Sequence, residues 1–219
     1  MAQTTTTLPL SGRRAEAARN DQRILDAART VFSANPEAPI ASVAERAGVG
    51  IGALYRRYPS KDALLQRLSL DGLERYLAAV ETALAEVGEG DPWTAFASFM
   101  RRSLDEGAGS LSQRFAGQFT ATEELYRLGR EAQAATQQLL DRAKAASALR
   151  PDIEVGDISL VFEQLQAVHA GDQQRTSQLR HRYLALLLDA LHAPATPGAS
   201  APLPGPPPTW EEITQRYAG

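Results

Sequence analysis

Between Glu45 and Leu65 the chain reads ERAGVGIGALYRRYPSKDALL, with glycines at positions 48, 50 and 52. Inside a helix, glycine is less favourable than alanine by about 1 kcal/mol. Three of them within five residues break a helix, in a chain whose other segments are alanine-rich and helical in pattern. Apolar residues on either side have the spacing of two short helices: Ile40, Val43 and Ala44 before the glycines, Leu54 and Tyr58 after them, with Pro59 stopping the second. The pattern predicts a helix over about 40–47, a tight turn with a positive φ at Gly48, and a helix over about 51–58 that starts unobstructed at Gly50. Ahead of them Ile24, Leu25, Ala28, Val31 and Phe32 recur at helical spacing until NPEAP, residues 35–39, ends that helix. Three short helices with a glycine turn form a helix-turn-helix, whose second helix is able to enter a DNA major groove.

The remainder predicts helices throughout. Ser60 is placed to cap a fourth helix, with Asp62 favoured by the dipole of its first turn, and that helix continues to the break at Gly88–Pro92. Further helices are expected over Pro92–Glu106, Leu111–Phe119, Thr122–Ala148, Val155–Ala170 and Gln173–Leu191, separated by Gly107, Gly109, Gly117, Pro151 and Gly171. No run alternates as a strand does, so the expected fold class is all-α. Residues 193–208 hold seven of the thirteen prolines and read as an extended linker. After it, Thr209 and Glu212 match a capping box, and Trp210, Ile213 and Tyr217 share one face of a short helix. A peptide that short is not stable alone: it docks on the body or on a partner, or it is an unstructured tail. The expected organisation is a flexible arm over 1–19, a DNA-binding head over 20–66, a helical effector-binding and dimerisation domain over 67–192, the linker, and a short amphipathic segment over 209–219.

Charge divides along the chain in the same way. The net charge is −3, yet residues 1–67 carry ten Lys and Arg against six Asp and Glu, a net +4, which leaves −7 for the rest. A basic first third on an acidic body is the asymmetry of a chain of which one part meets phosphates. Cysteine is absent, which excludes thiolate metal sites, cysteine nucleophiles and disulfides and agrees with a reducing compartment. The leader MAQTTTTLPLSGRR has no apolar centre, and no run of eighteen apolar residues occurs, so a soluble, cytoplasmic protein without a membrane span is expected. His169, His181 and His192 lack metal-ligand spacing, no glycine-rich phosphate loop follows a strand, and no nucleophile is singled out with a base. Neither catalysis, metal nor cofactor is expected.

VAERAGVGIGALYRRYPSKDALL resembles the signature of TetR-family transcriptional regulators, roughly T-V-x-x-I-A-x-x-A-G-V-S-x-G-T-L-Y-x-H-F-x-S-K-x-x-L. Val43, Ala44, Ala47, Gly48, Val49, Gly52, Leu54, Tyr55, Ser60, Lys61 and Leu64 fall in register, and the likeness spans about residues 22–66. Beyond it, the body fits the family in length and helical class alone. The resemblance implies that Tyr55 and Lys61 hold backbone phosphates and that base edges are read from Ile51, Gly52, Ala53, Arg56 and Arg57. An arginine bidentate to a guanine discriminates by about 1–3 kcal/mol, and Arg56 or Arg57 is the expected reader. Three positions depart from the pattern. Pro39 stands where a threonine commonly opens the second helix, Gly50 replaces a serine and Ala53 a threonine, so fewer hydroxyls face the phosphates. Arg13, Arg14 and Arg19 either reach the neighbouring minor groove as an arm or are a solvated leader.

The resemblance further implies a repressor acting as a homodimer on a double-stranded, palindromic DNA operator. Its two last long helices, Val155–Leu191, form the dimer interface from Leu160, Val161, Leu165, Val168, Tyr183, Leu184, Leu187, Leu188 and Leu191, residues that serve equally as internal core. An unknown small-molecule effector occupies a cavity among the middle helices and alters the separation of the two heads. Trp93, Phe96, Phe99, Phe115, Phe119, Phe162, Gln166 and His169 are the candidate lining residues, with ordinary core as the competing role. The rival function is a helical protein-interaction module that does not bind DNA.

Overall fold

The computed structural model describes residues 10–107, 119–193 and 201–215. They form helices α1 (Leu10–Ala34), α2 (Ile40–Ala47), α3 (Ile51–Arg57), α4 (Lys61–Glu89), α5 (Pro92–Asp105), α6 (Glu123–Ala145), α7 (Val155–Ala167), α8 (Gln173–Leu191) and the short α9 (Trp210–Thr214). There is no strand among the described residues, only an isolated bridge between Leu149 and His192. The protein is therefore all-α. Two compact units divide the chain, residues 1–64 and 65–219. The helix expected over Leu111–Phe119 lies outside the described residues except for Phe119, which is buried after the gap.

The helix ends follow local chemistry. Ser60 Oγ accepts the Ala63 N–H at 3.1 Å to start α4, Asp91 accepts the Thr94 N–H at 2.9 Å to start α5, and Thr122 and Asp172 do the same for α6 and α8. One expectation is corrected. The chain is helical from Leu10, where a flexible arm over 1–19 was expected, because SGRRAEAAR is rich in Ala, Arg and Glu, good helix formers that need no apolar face.

In the first unit, α1 lays Ile24, Leu25, Ala28 and Phe32 against Val43 and Ala44 of α2 and Leu54 of α3, all of them buried. In the second, the core is aromatic at its centre. Tyr76 of α4 meets Phe99 of α5 edge to face with ring centroids 5.4 Å apart, and Phe162 of α7 closes the triangle at 6.2 Å from each. Leu139 and Leu140 of α6 and Leu184 and Leu188 of α8 complete it. Each such side chain contributes about 1.5–3 kcal/mol by leaving water.

Candidate nucleic-acid interface and ligand cavity

The turn before α3 is set by one glycine. Gly48 takes φ +66°, a conformation costly for residues with a Cβ. It closes α2 as a Schellman motif: its N–H donates to Glu45 O and the Val49 N–H to Ala44 O. Arg23 of α1 adds a third tie, Nη2 donating to the Ala47 carbonyl at 2.7 Å, so the end of α2 is capped from a residue 24 positions upstream. Gly50 has an ordinary extended conformation, and a Cβ there would meet nothing within 4 Å. The structure thus requires glycine at 48 and not at 50, against the expectation for Gly50. Pro39 is the N-cap of α2 and provides no side-chain bond.

On α3 only Leu54 is buried. Ile51, Gly52, Ala53, Tyr55, Arg56 and Arg57 are exposed, and Ile51 and Tyr55 are 43% and 46% exposed, unusual for large apolar side chains. The two arginines, indistinguishable in sequence, differ in structure. Arg57 is clamped by Asp21 of α1, Nε donating at 2.7 Å and Nη2 at 3.0 Å. The same carboxylate accepts the Tyr58 hydroxyl at 2.6 Å, and these bonds, with the charge of Asp21, hold the Arg57 pKa above its ordinary value. Arg56 makes no hydrogen bond or ion pair among the described residues. Tyr58 is 5% exposed and belongs to the core. Lys61 donates from Nζ to the Pro36 carbonyl at 2.9 Å and lies 5.2 Å over the Phe32 ring. It sits at the start of α4, where free backbone N–H groups attract anions. Of the three arm arginines, nothing beyond helical backbone is described for Arg13 and Arg14, and Arg19 is exposed on α1.

The second unit contains a cavity of about 80 Å³. Leu73 and Tyr76 of α4, Leu125, Gly129, Ala132, Gln133 and Thr136 of α6, and Val155, Ser159 and Phe162 of α7 line it, and Trp210, Ile213 and Thr214 of α9 form its remaining wall. Thr136 donates to the Ala132 carbonyl at 2.7 Å, so the Tyr76 hydroxyl, 3.0 Å away, is the donor to Thr136. Burial pushes the Tyr76 phenol up to about 12, against the opposing effect of the Thr136 bond. No charged side chain lines the cavity.

Of the expected lining residues, only Phe162 faces this space. Phe96 and Phe99 are fully buried in the core, and Trp93 packs on Phe96 and on the His192 ring, at centroid distances of 5.7 and 4.3 Å. Phe119 and Gln166 are buried elsewhere, and Phe115 lies outside the described residues. His169 is exposed, its Nδ1 3.0 Å from the Ala167 carbonyl and its Nε2 3.2 Å from Arg180 Nη2. The α9 wall was missing from the expectation, although its capping box was in view: Glu212 N–H donates to Thr209 Oγ1 and Thr209 N–H to the Glu212 carboxylate.

Along Val155–Leu191, side chains divide between inside and outside. Leu165, Leu184, Leu188 and Leu191 are buried in the chain's own core; Leu160, Val161, Val168 and Leu187 are half-buried. Tyr183 and Leu186 are 49% and 55% exposed, neighbours on one face of α8.

Comparison with known proteins agrees with both units. Residues 24–68 match the family model described as bacterial regulatory proteins, tetR family, and residues 91–193 the model described as transcriptional regulator SbtR-like, C-terminal domain. Among solved structures, the TetR transcriptional regulator SCO0520 from Streptomyces coelicolor is 28% identical, with 80% of this chain and 99% of that one covered at a TM-score of 0.57. The TetR transcription regulatory protein from Mycobacterium vanbaalenii is 26% identical over 82% and 99%, at 0.55. LfrR from Mycobacterium smegmatis, a TetR-like regulator solved in complex with proflavine, shares the fold at 23% identity over 76% and 95%, at 0.55. No curated protein matches the chain.

Proposed function

Since this chain belongs to the TetR family of transcriptional regulators, which are not enzymes, we propose that it is a repressor: a homodimer that binds a palindromic operator and is released by a small, uncharged, mainly apolar effector. The observation that carries the DNA reading is the outward face of α3, where Ile51, Gly52, Ala53, Tyr55 and Arg56 are exposed while Leu54 anchors the helix. Arg56 is the base reader, because Arg57 is engaged by Asp21. Tyr55 and Lys61 position phosphates. Lys61 exchanges its bond to the Pro36 carbonyl for a phosphate oxygen, a charge-assisted bond that is the stronger of the two.

The proposed dimer is built on α7 and α8, with Tyr183 and Leu186 as the exposed apolar contacts between copies. Twofold pairing presents two α3 helices to two half-sites. The effector takes the cavity beside Tyr76, Thr136 and Phe162, whose apolar walls and few hydroxyls suit a ligand with one or two hydrogen-bonding groups; the proflavine bound by LfrR is a precedent for a small aromatic ligand within the same fold. An effector that prefers the non-binding state shifts the population away from the operator complex.

A salt titration on a mixed-sequence duplex tests the DNA reading. Arg56→Ala combined with Lys61→Ala weakens binding and lowers the slope of log affinity against log salt by about 2, one for each lost phosphate or groove contact. Affinity and slope unchanged from wild type favour the DNA-independent interaction module instead.

A further inference from the structure

The wall that α9 supplies to the cavity is not part of the helical body. It comes from the chain's last described segment, Ala201–Gln215, which is held on the body at three places. Arg150 Nη2 donates to the Ala201 carbonyl at 3.1 Å, and the Leu203 N–H donates to the Asp152 carboxylate at 3.0 Å. Arg150 also grips Asp152 through Nε and Nη2, at 2.9 and 2.8 Å. Pro208 lies so close on the first turn of α7 that a Cβ at Gly156 would come within 2.0 Å of its carbonyl oxygen. The Trp210 ring lies over Gly129 of α6, 3.3 Å from where a Cβ would stand, and Ile213 is 5% exposed. Two glycines, one in α6 and one in α7, thus make room for the segment where larger residues would exclude it. A five-residue helix has no stability of its own, so α9 is folded by virtue of this seat.

With the segment seated, the free space is about 80 Å³, whereas sites for drug-sized ligands span roughly 300–1,000 Å³. We propose that Ala201–Thr214 is an intramolecular competitor for the effector cavity: Trp210 and Ile213 occupy the room that an effector takes, and effector binding requires their departure. The proposal rests on the reading of this cavity as the effector site. Apparent affinity is then the intrinsic affinity multiplied by the fraction of chains with the segment unseated, so effectors are selected for their ability to replace an indole and a branched aliphatic side chain at once.

The test uses the full chain carrying Trp93→Phe, which leaves Trp210 as the sole tryptophan, and Nile red, an uncharged apolar dye, as the probe. Gly156→Ala introduces the better helix former into α7, spares the body, and collides with Pro208. It is expected to shift Trp210 emission to the red and to raise Nile red affinity about tenfold; truncation after Ser200 is expected to give the same gain in affinity. In the Trp93→Phe chain itself, saturating Nile red produces the same red shift. A Gly129→Leu substitution added to Gly156→Ala fills the cavity and removes the gain. Affinity equal to or weaker than that of the parent in both Gly156→Ala and the truncated chain overturns the proposal and makes the segment a holding wall, with the effector reading intact. A gain that persists with Gly129→Leu puts the dye outside the cavity and overturns it as well. Failure of every form to bind the dye, with red-shifted emission in Gly156→Ala showing the segment released, removes the effector reading and the competitor together.

Discussion

At the scale of single residues, Asp21 decides what the head offers to DNA. It accepts two hydrogen bonds from Arg57 and one from the Tyr58 hydroxyl, and its replacement leaves the buried end of Tyr58 without a partner. Asp21→Ala is therefore expected to lower stability by about 1–3 kcal/mol in urea denaturation. The two arginines then behave differently. Arg57→Ala costs less than about 1 kcal/mol of stability, because its guanidinium is 60% exposed, and changes base preference little. Arg56→Ala leaves stability unchanged and relaxes discrimination at one guanine by about 1–3 kcal/mol. Equal effects of the two on base preference in binding assays contradict this division. Tyr76 gives a second residue-scale expectation. Its folded pKa is about 12 against an ordinary 10.0, so the folded protein keeps a proton that the unfolded chain releases. The corresponding stability is fully present below pH 10 and is lost as pH rises toward 12. Absorbance titration of the phenols is expected to show one late-titrating group, which Tyr76→Phe removes; a wild-type curve with no phenol above the ordinary range contradicts it.

At the scale of elements, α8 works on two faces. Leu188→Ala opens the core and is expected to cost about 2–5 kcal/mol, whereas Leu186→Lys changes an exposed position and is expected to split the dimer without unfolding the chain. Sedimentation and circular dichroism together distinguish the two; a Leu186→Lys chain that stays dimeric excludes this face from the interface. The same helix shows what a sequence makes legible. Gln173–Leu191 is read to the residue because Gly171 and Asp172 mark its start by conformation and by capping. The opening turns of α1 escaped because Ser11–Asn20 is helical by composition alone, with no apolar stripe to count. The cavity escaped for another reason. Phe96, Phe99 and Phe162 have identical chemistry, and which of them faces empty space depends on how α9 returns across α6 and α7, a contact between residues far apart in the chain that no local periodicity encodes. Arg23 and Asp21 escaped as determinants of the head for the same reason: they act on residues 24 and 36 positions away.

At the scale of the whole molecule, the division of charge has a physical counterpart in two units with different tasks. The first, residues 1–64, displays a recognition helix with a free arginine; the second, residues 65–219, contains an apolar cavity and an exposed apolar face on α8. Pairing through that face makes the operator contact additive over two heads and makes specificity a matter of half-site spacing as well as of sequence. The most direct test of the central claim is selection of bound sequences by the purified, effector-free protein from a random duplex pool, with wild type and Arg56→Ala run side by side. The account predicts a palindrome enriched by wild type, with half-sites about one helical turn or more apart, and loss of one guanine preference in each half-site with Arg56→Ala. A folded, ligand-free wild-type protein that enriches no sequence at low salt contradicts it.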